Sequence, residues 1–103
     1  MRIDVVGRNL EITPAIRAHA EGKLAKLPKY FDGVQQITLT ITRDDHKIHG
    51  SFGAEVIVDV EKHDDFVSYA HGEDVYLLID LVVQKSSRQL TDFKEKLKMG
   101  KHH

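Results

Sequence analysis

The feature that most constrains the fold is a strict alternation of apolar and polar side chains in two stretches of the chain. Positions 37 to 42 alternate isoleucine or leucine with threonine, and positions 52 to 60 place an apolar residue at every second position. Successive side chains of a β-strand point to opposite faces, so both stretches predict half-buried strands. The polar stretch 44–50 between them predicts a hairpin loop. One face of the resulting sheet must therefore be covered by other elements.

Two helices are predicted to cover that face, because elsewhere the apolar spacing changes to three and four residues. The first helix begins with Thr13 as its N-cap and Pro14 as its first residue, runs to about residue 27, and ends at Pro28. Its predicted buried stripe is Ile16, Ala20, Leu24 and Leu27.

The second helix is predicted over residues 74–98, after Gly72 ends a short strand around 66–70. Glu73 and Asp74 place negative charge at its start, where the helix dipole favours it. Its predicted buried stripe is Tyr76, Ile79, Val83, Ser86, Leu90, Phe93 and Leu97.

With a first strand over 2–8, the elements follow the order β-α-β-β-β-α. This order predicts an α+β fold, a two-layer sandwich in which a four-stranded, mostly antiparallel sheet carries both helices on one face. Such a layout is similar to that of double-stranded-RNA-binding domains. A chain of 103 residues encloses one hydrophobic core, so we expect a single domain over 1–99 and a flexible tail over 100–103.

Composition and motifs exclude several classes of protein. The absence of cysteine excludes a disulfide scaffold, a zinc ribbon and a thiol nucleophile. The start lacks an apolar signal segment, and the longest apolar run, 75–79, is far shorter than the roughly 20 residues of a membrane span, so we expect a cytoplasmic protein. The sequence contains neither a glycine-rich phosphate loop nor a nucleophile motif, so nothing in it indicates an enzyme. His46 and His49 lack a third metal ligand, which favours a solvated loop over a metal site.

Charge is unevenly distributed along the chain, although the net charge is only -1. Residues 1–50 carry eight Lys/Arg against six Asp/Glu, residues 51–80 carry one against eight, and residues 81–103 carry six against two. A polyanion responds to the local field within about 10 Å at ordinary salt. Binding to a polyanion therefore depends on whether the fold gathers the basic segments on one surface.

The helices are predicted to provide that surface. At about 100° per residue, basic side chains project from the flank of the first helix and from the side of the second helix opposite its buried stripe, with others on a flank. Lys23 and Lys26 lie on the flank of the first helix, with Lys29 just beyond it. Lys85, Arg88 and Lys96 lie opposite the buried stripe of the second helix, and Lys94 and Lys98 lie on its flank. The alternative is that they only solvate exposed helix faces and complement the C-terminal dipole.

The other face of the sheet is predicted to be polar to acidic and to carry Thr38, Thr40, Thr42, Glu55, Asp59 and Tyr69. Sheets that read RNA stack bases on several aromatic rings, and this face has only one. Any contact with nucleic acid is therefore expected through the helices.

Two motifs resemble those of a known family. The first is residues 7–13 (GRNLEIT) with 15–17 and 23–31, and the second is residues 73–80 (EDVYLLID) with Lys85, 88–90 and 94–98. Together they span nearly the whole chain, which resembles the short-form ribosome hibernation promoting factors of the ribosome-associated inhibitor and sigma-54 modulation protein family. The resemblance implies binding to the small ribosomal subunit and its ribosomal RNA, at the messenger RNA and A/P transfer RNA sites, with inhibition of translation in slow growth or stress.

The resemblance also implies no cofactor, no catalysis and no DNA partner. It places basic residues toward ribosomal RNA at Arg8, Lys23, Lys26, Lys29, Lys85, Arg88 and Lys96, and the second motif adds Lys94 and Lys98. Long forms of the family append a second domain that pairs ribosomes, so we expect any pairing of ribosomes here to need another factor.

Three departures from the family pattern leave a second function open. Asp92 stands in the basic row of the second helix, where relatives carry lysine or arginine, and should weaken phosphate binding. Ser86 interrupts the buried stripe and is predicted to bond back to a carbonyl one turn earlier. Leucines replace small residues in the first turns and are projected toward solvent, at Leu77, Leu78 and Leu81. The alternative function is a protein-interaction module that pairs with itself or with another protein through these leucines and binds RNA weakly.

Overall fold

The computed structural model describes residues 1–44 and 51–100, with side chains described through residue 98. The elements are β1 (Arg2–Arg8), α1 (Pro14–Leu24), a short 3-10 helix (Leu27–Lys29), β2 (Val34–Arg43), β3 (Phe52–Val60), β4 (Phe66–Gly72) and α2 (Val75–Gly100). The predicted order β-α-β-β-β-α is confirmed. The histidine pair at positions 46 and 49 lies outside the described residues, as do residues 101–103 of the predicted tail over 100–103, whereas Gly100 is the last residue of α2.

The sheet has the strand order β1-β2-β3-β4. β1 and β2 pair in parallel, which requires the crossover that α1 provides, whereas β2–β3 and β3–β4 are antiparallel. The predicted mostly antiparallel sheet is therefore confirmed. One row of cross-strand neighbours, Val5, Leu39, Val56 and Ser68, points toward the helices, and all four of these residues are buried.

The hydrophobic core lies between the sheet and the two helices. The helices contribute Ile16, Ala20 and Leu24 from α1 and Leu78, Ile79, Val82 and Leu90 from α2, and these residues pack on the inward residues of all four strands. Burial of each large aliphatic side chain stabilises the fold by about 1.5–3 kcal/mol. Both helices thus cover one face, as the α+β prediction requires.

The start of α1 follows the sequence signal, but its end does not. Thr13 Oγ1 accepts a hydrogen bond from the Ile16 N–H at 3.2 Å, with Pro14 in the first turn. The helix ends at Leu24 rather than near residue 27, because Pro28 has no N–H to donate to Leu24 and its ring would clash with that carbonyl. The chain continues as the 3-10 helix, in which the Tyr30 N–H donates to the Leu27 carbonyl at 3.0 Å.

The start of α2 corrects the predicted buried stripe. Asp74 Oδ1 caps the helix by accepting hydrogen bonds from the N–H groups of Tyr76 and Leu77 at 2.9 and 3.1 Å. Leu78, predicted to face solvent, is 2% exposed, whereas Tyr76, predicted to be buried, is exposed. Leu78 lies over Gly72 at the end of β4, where a Cβ on the glycine would meet Leu78 at 3.9 Å. That is an ordinary van der Waals distance, so Leu78 packs against the end of β4.

Leu97 was also predicted to be buried and is 45% exposed. The 26 residues of α2 span about 39 Å at 1.5 Å per residue. The 10 residues of β2, the longest strand, span about 33 Å. The last turns of α2 therefore extend beyond the sheet, and Leu97 has no sheet surface to cover it.

Ser86 completes the buried stripe in a way that the sequence did not predict. Its Oγ donates to Ser68 Oγ of β4 at 3.2 Å, and both serines are buried. Because the Ser86 hydroxyl faces the sheet, it bonds to Ser68 across the helix–sheet interface and not to the carbonyl of the preceding turn. The predicted bond back along the helix is therefore wrong.

Candidate nucleic-acid interface

The two helices lie side by side and run in the same direction. The His19 ring of α1 makes an edge contact with Tyr76 near the start of α2, with ring centroids 5.2 Å apart. Phe31, after the 3-10 helix, contacts Phe93 near the end of α2 at the same centroid distance. Basic residues on both helices therefore share one outer layer.

An acidic residue that sequence reasoning missed lies in the seam between the helices. Asp80 Oδ1 is 2.8 Å from His19 Nε2 and 3.7 Å from Lys23 Nζ. All three side chains are partly exposed, so the ion pair contributes little to stability, but it places a negative charge beside Lys23. No signal in the sequence pairs Asp80 with α1, because the contact depends on how the helices pack.

The solvent-facing side of α2 is a narrow stripe with leucine at one end and basic residues farther on. Spacings of four, three and four place Leu77, Leu81, Gln84 and Arg88 along one line opposite the buried stripe, and all four are exposed. Asp92 follows Arg88 by four residues on this side and is exposed as well. The carboxylate thus lies within the basic part of the helix surface, as the sequence predicts.

Two α2 side chains cover the free edge of the sheet. Lys85 Nζ donates to the Tyr69 carbonyl at 2.9 Å, and Gln89 Nε2 donates to the Val67 carbonyl at 3.0 Å. β4 is an edge strand, and its unpaired carbonyls would otherwise be open to another strand. Lys85 remains exposed, and its two further N–H donors can reach an anion.

Eight of the nine predicted RNA-binding residues lie on the helical layer. We call these eight the basic helical surface: Lys23, Lys26, Lys29, Lys85, Arg88, Lys94, Lys96 and Lys98. Seven of them are exposed, and Lys23, which contacts Asp80, is half-buried. All eight therefore belong to the layer of helices on one face of the sheet, a layer that also carries Asp80, Asp92 and Glu95.

Arg8 is not part of that layer. It pairs with Thr42 in the register of β1 and β2, three residues beyond the buried Val5–Leu39 pair, and so it lies on the outer face of the sheet. There it lines a shallow groove together with Thr40, Glu55 and Tyr69. The period of two in β1 was sufficient to find this, because Val5 faces the core and Arg8 is an odd number of positions away.

The outer face of the sheet is polar, as the sequence predicts. One row of cross-strand neighbours on it is Val6, Thr40, Glu55 and Tyr69. The Tyr69 hydroxyl donates to the Glu55 carboxylate, and this hydrogen bond, together with repulsion from the negative charge, raises the pKa of Tyr69. Among the described residues of this face, Tyr69 and His71 carry rings and Tyr69 is already paired with a carboxylate, so the face is poor in rings on which bases could stack.

Within the described residues, no cluster of three or more histidine, cysteine, aspartate or glutamate side chains could hold a metal ion. No helix in this part of the chain has the length and apolar content to cross a membrane.

Comparisons with known proteins agree with the resemblance in the sequence. The family described as "Sigma 54 modulation protein / S30EA ribosomal protein" matches residues 3–98. A "Ribosome hibernation promoting factor" of Escherichia coli K12 is 36% identical over 98 residues, which cover 95% of this chain and 98% of the relative. A "Ribosome hibernation promotion factor" of Bacillus subtilis is 33% identical over 98 residues, which cover 94% of this chain and 50% of the relative.

Solved structures show the same fold. The N-terminal domain of Thermus thermophilus Protein Y superposes with a TM-score of 0.76 at 34% identity, over 90% of this chain and 99% of that one. A ribosomal subunit interface protein from Coxiella burnetii superposes with a TM-score of 0.80 at 24% identity, over 92% and 99% of the two chains. The match over residues 3–98 and the identity with full-length relatives show that the chain belongs to the Sigma 54 modulation protein / S30EA ribosomal protein family.

Proposed function

We propose that this protein is a ribosome hibernation factor that binds the small ribosomal subunit through the basic helical surface. It occupies the messenger RNA and A/P transfer RNA sites and inhibits translation in slow growth or stress. It acts in the cytoplasm by occupancy and not by catalysis. The names of the relatives support hibernation as the process, and the observation that carries the mode of binding is the gathering of eight basic side chains on the helical layer.

The energetics of the proposed binding follow from phosphate neutralisation. Each lysine or arginine that contacts a phosphate releases a condensed counterion, so affinity falls steeply with salt. About six such contacts predict a slope of log affinity against log salt of about -5 for duplex geometry. An interface formed by apolar side chains alone would show little salt dependence, which separates ribosome binding from a purely apolar protein contact.

The experiment is co-sedimentation of the protein with purified small subunits over a series of salt concentrations. The test variant is Lys85→Glu with Arg88→Glu, which reverses two charges of the basic helical surface. The matched control is Arg2→Glu with Arg43→Glu, which makes the same charge change at exposed positions of the sheet. We expect the test variant to lose binding and the control to keep it, with circular dichroism showing that both fold.

Two outcomes would contradict the proposal. Equal loss of binding in both variants would mean that only net charge matters and that the helical layer is not the contact surface. Full binding by the Lys85→Glu and Arg88→Glu variant would remove these residues from the interface. Inhibition of translation is measured in parallel in a purified translation system, where the test variant should restore the rate.

A further inference from the structure

The solvent-facing stripe of α2 carries two leucines that no element of the chain covers. Leu77 is 68% exposed and Leu81 is 41% exposed, and a spacing of four residues puts them on adjacent turns of one face. Single exposed leucines are common on protein surfaces, but an exposed pair at this spacing is the pattern by which helices recognise one another. The question is which surface complements it.

Part of the same stripe is concave. Leu81, Gln84, Lys85 and Arg88 line one end of a shallow depression on the outer side of α2, which continues along Ser87, Thr91 and Asp92. Their spacing of i, i+3, i+4 and i+7 is that of the hole that receives a knob in coiled-coil packing. The equivalent hole one turn earlier is formed by residues 77, 80, 81 and 84.

One antiparallel arrangement of two copies fills both holes at once. In this arrangement, Leu77 of a second copy enters the hole formed by residues 81, 84, 85 and 88. Leu81 of that copy then enters the hole formed by residues 77, 80, 81 and 84. A two-fold axis near Leu81 produces the same contacts in both directions, so the interface is isologous and closes as a dimer.

Charge favours the same arrangement. Residues 73–84 carry Glu73, Asp74 and Asp80 and no lysine or arginine, whereas residues 85–98 carry five basic side chains against two acidic ones. In the antiparallel register, Glu73 and Asp74 of one copy lie opposite Arg88 of the other. A parallel pairing would place like charges together, so the charge gradient along α2 selects the antiparallel pair.

We propose that α2 forms a two-fold symmetric homodimer, in which Leu77 and Leu81 of each copy pack into the holes of the other and Glu73 pairs with Arg88. The contact covers about four turns of one helix per copy, so the interface is small and the dimer forms only at high concentration. It also covers Lys85 and Arg88. On the proposed function, the dimer is therefore a stored form that cannot bind the ribosome and dissociates on dilution.

Sedimentation velocity over a concentration series tests the dimer on its own, without ribosomes. We expect the wild-type protein to shift from monomer to dimer at high micromolar concentrations and the Leu77→Ser with Leu81→Ser variant to remain monomeric. The control is Leu97→Ser, which removes a leucine about as exposed as Leu81 from the same helix outside the interface. A wild-type protein that stays monomeric at millimolar concentration overturns the proposal, and so does a dimer that survives the double leucine change.

A charge exchange tests the register. Arg88→Glu places two acidic residues opposite each other and should weaken dimerisation at least tenfold. Adding Glu73→Lys to Arg88→Glu restores opposite charges in the antiparallel register and should recover most of the loss. Failure of the second change to recover the dimer overturns the assigned register.

The link to the ribosome is tested separately. The Leu77→Ser with Leu81→Ser variant should co-sediment with small subunits as well as the wild-type protein at low concentration and better at concentrations where the wild-type protein dimerises. Loss of ribosome binding in both proteins would contradict the proposed function and leave the dimer standing. A wild-type dimer that binds the ribosome as well as the monomeric variant would refute the storage role.

Discussion

Ser86 Oγ of α2 donates a hydrogen bond to Ser68 Oγ of β4 at 3.2 Å, and both side chains are buried among aliphatic residues. The pair joins the long helix to an edge strand. Removing one hydroxyl leaves the other without its partner, so Ser68→Ala and Ser86→Ala should each lower the free energy of unfolding by about 1–3 kcal/mol. Removing both hydroxyls should cost clearly less than the sum, because no unpaired polar group then remains.

Urea denaturation of the two single variants and the double variant measures this coupling. Ser87→Ala is the control, because its hydroxyl donates to the Gln84 carbonyl of its own helix at 2.8 Å and its side chain is partly exposed. It should change stability by no more than about 0.5 kcal/mol. Additive losses at positions 68 and 86 would show that the two hydroxyls do not depend on each other.

The carboxylate of Asp80 should reduce the affinity of the basic helical surface for RNA, since it lies 3.7 Å from Lys23 Nζ. Asp80→Asn keeps an acceptor for His19 and removes the negative charge. We expect tighter binding to small subunits, by less than tenfold, and a change in the free energy of unfolding of less than about 1 kcal/mol, because the pair is partly exposed.

Co-sedimentation and urea denaturation check these two expectations. Asp59→Asn provides the control, because it removes the same charge on the outer face of the sheet. An equal gain in affinity for both variants would assign the effect to net charge and not to Lys23.

The elements of this fold are predictable from sequence because each depends on local spacing. Alternation around Leu39 gave the central strand, and Thr13 with Pro14 gave the start of α1. The burial of Leu78 does not follow from periodicity, because it depends on how the start of α2 packs over Gly72 at the end of β4.

The candidate site also has features that follow from spacing within one helix and features that depend on packing between elements. Basic residues could be assigned to helix faces by counting, and the helical layer contains eight of the nine. The contact of Asp80 with Lys23 depends on the packing of α1 against α2, and the bond from Lys85 to the Tyr69 carbonyl depends on the position of α2 over an edge strand. Neither follows from spacing within one element.

Asp92 interrupts the basic row of α2, and its replacement by lysine should tighten ribosome binding. The residue is exposed on the solvent-facing side of the helix, four positions beyond Arg88. One added phosphate contact should contribute about 1 kcal/mol, and charge-assisted hydrogen bonds to phosphate are of this size or larger. The slope of log affinity against log salt should also become steeper by about one unit.

Asp59→Lys makes the same charge change on the outer face of the sheet and should leave affinity nearly unchanged. Binding curves with small subunits at several salt concentrations compare the two variants. An unchanged or weaker affinity for Asp92→Lys would mean that this position does not face RNA.

The ionisation of Tyr69 should report on Glu55. The hydrogen bond and the negative charge of Glu55 stabilise the neutral phenol and raise its pKa above the usual 10.0. The contribution of this pair to stability is therefore fully present below the usual tyrosine pKa and is lost as the pH rises through the raised value. Glu55→Gln should bring the pKa of Tyr69 down toward 10.0.

Titration of phenolate absorbance measures the effect, and subtraction of the Tyr69→Phe curve isolates the contribution of this residue. An unchanged titration in the Glu55→Gln variant would mean that the carboxylate does not contact the hydroxyl in solution.

Replacement of two glycines by alanine should change the free energy of unfolding in opposite directions. A Cβ on Gly7 would lie 2.2 Å from the Leu10 carbonyl oxygen, which is backbone and cannot move aside cheaply, whereas a Cβ on Gly22 would meet no atom within 4 Å. Gly7→Ala should therefore destabilise the fold by several kcal/mol or prevent folding, through displacement of the turn that joins β1 to α1. Gly22→Ala should raise the free energy of unfolding by about 0.5–1 kcal/mol, because alanine in an exposed helix interior restricts the unfolded chain more than glycine does. Thermal and urea unfolding of the two variants side by side checks the signs, and a stable Gly7→Ala protein with an unchanged midpoint would show that the turn tolerates a side chain at this position.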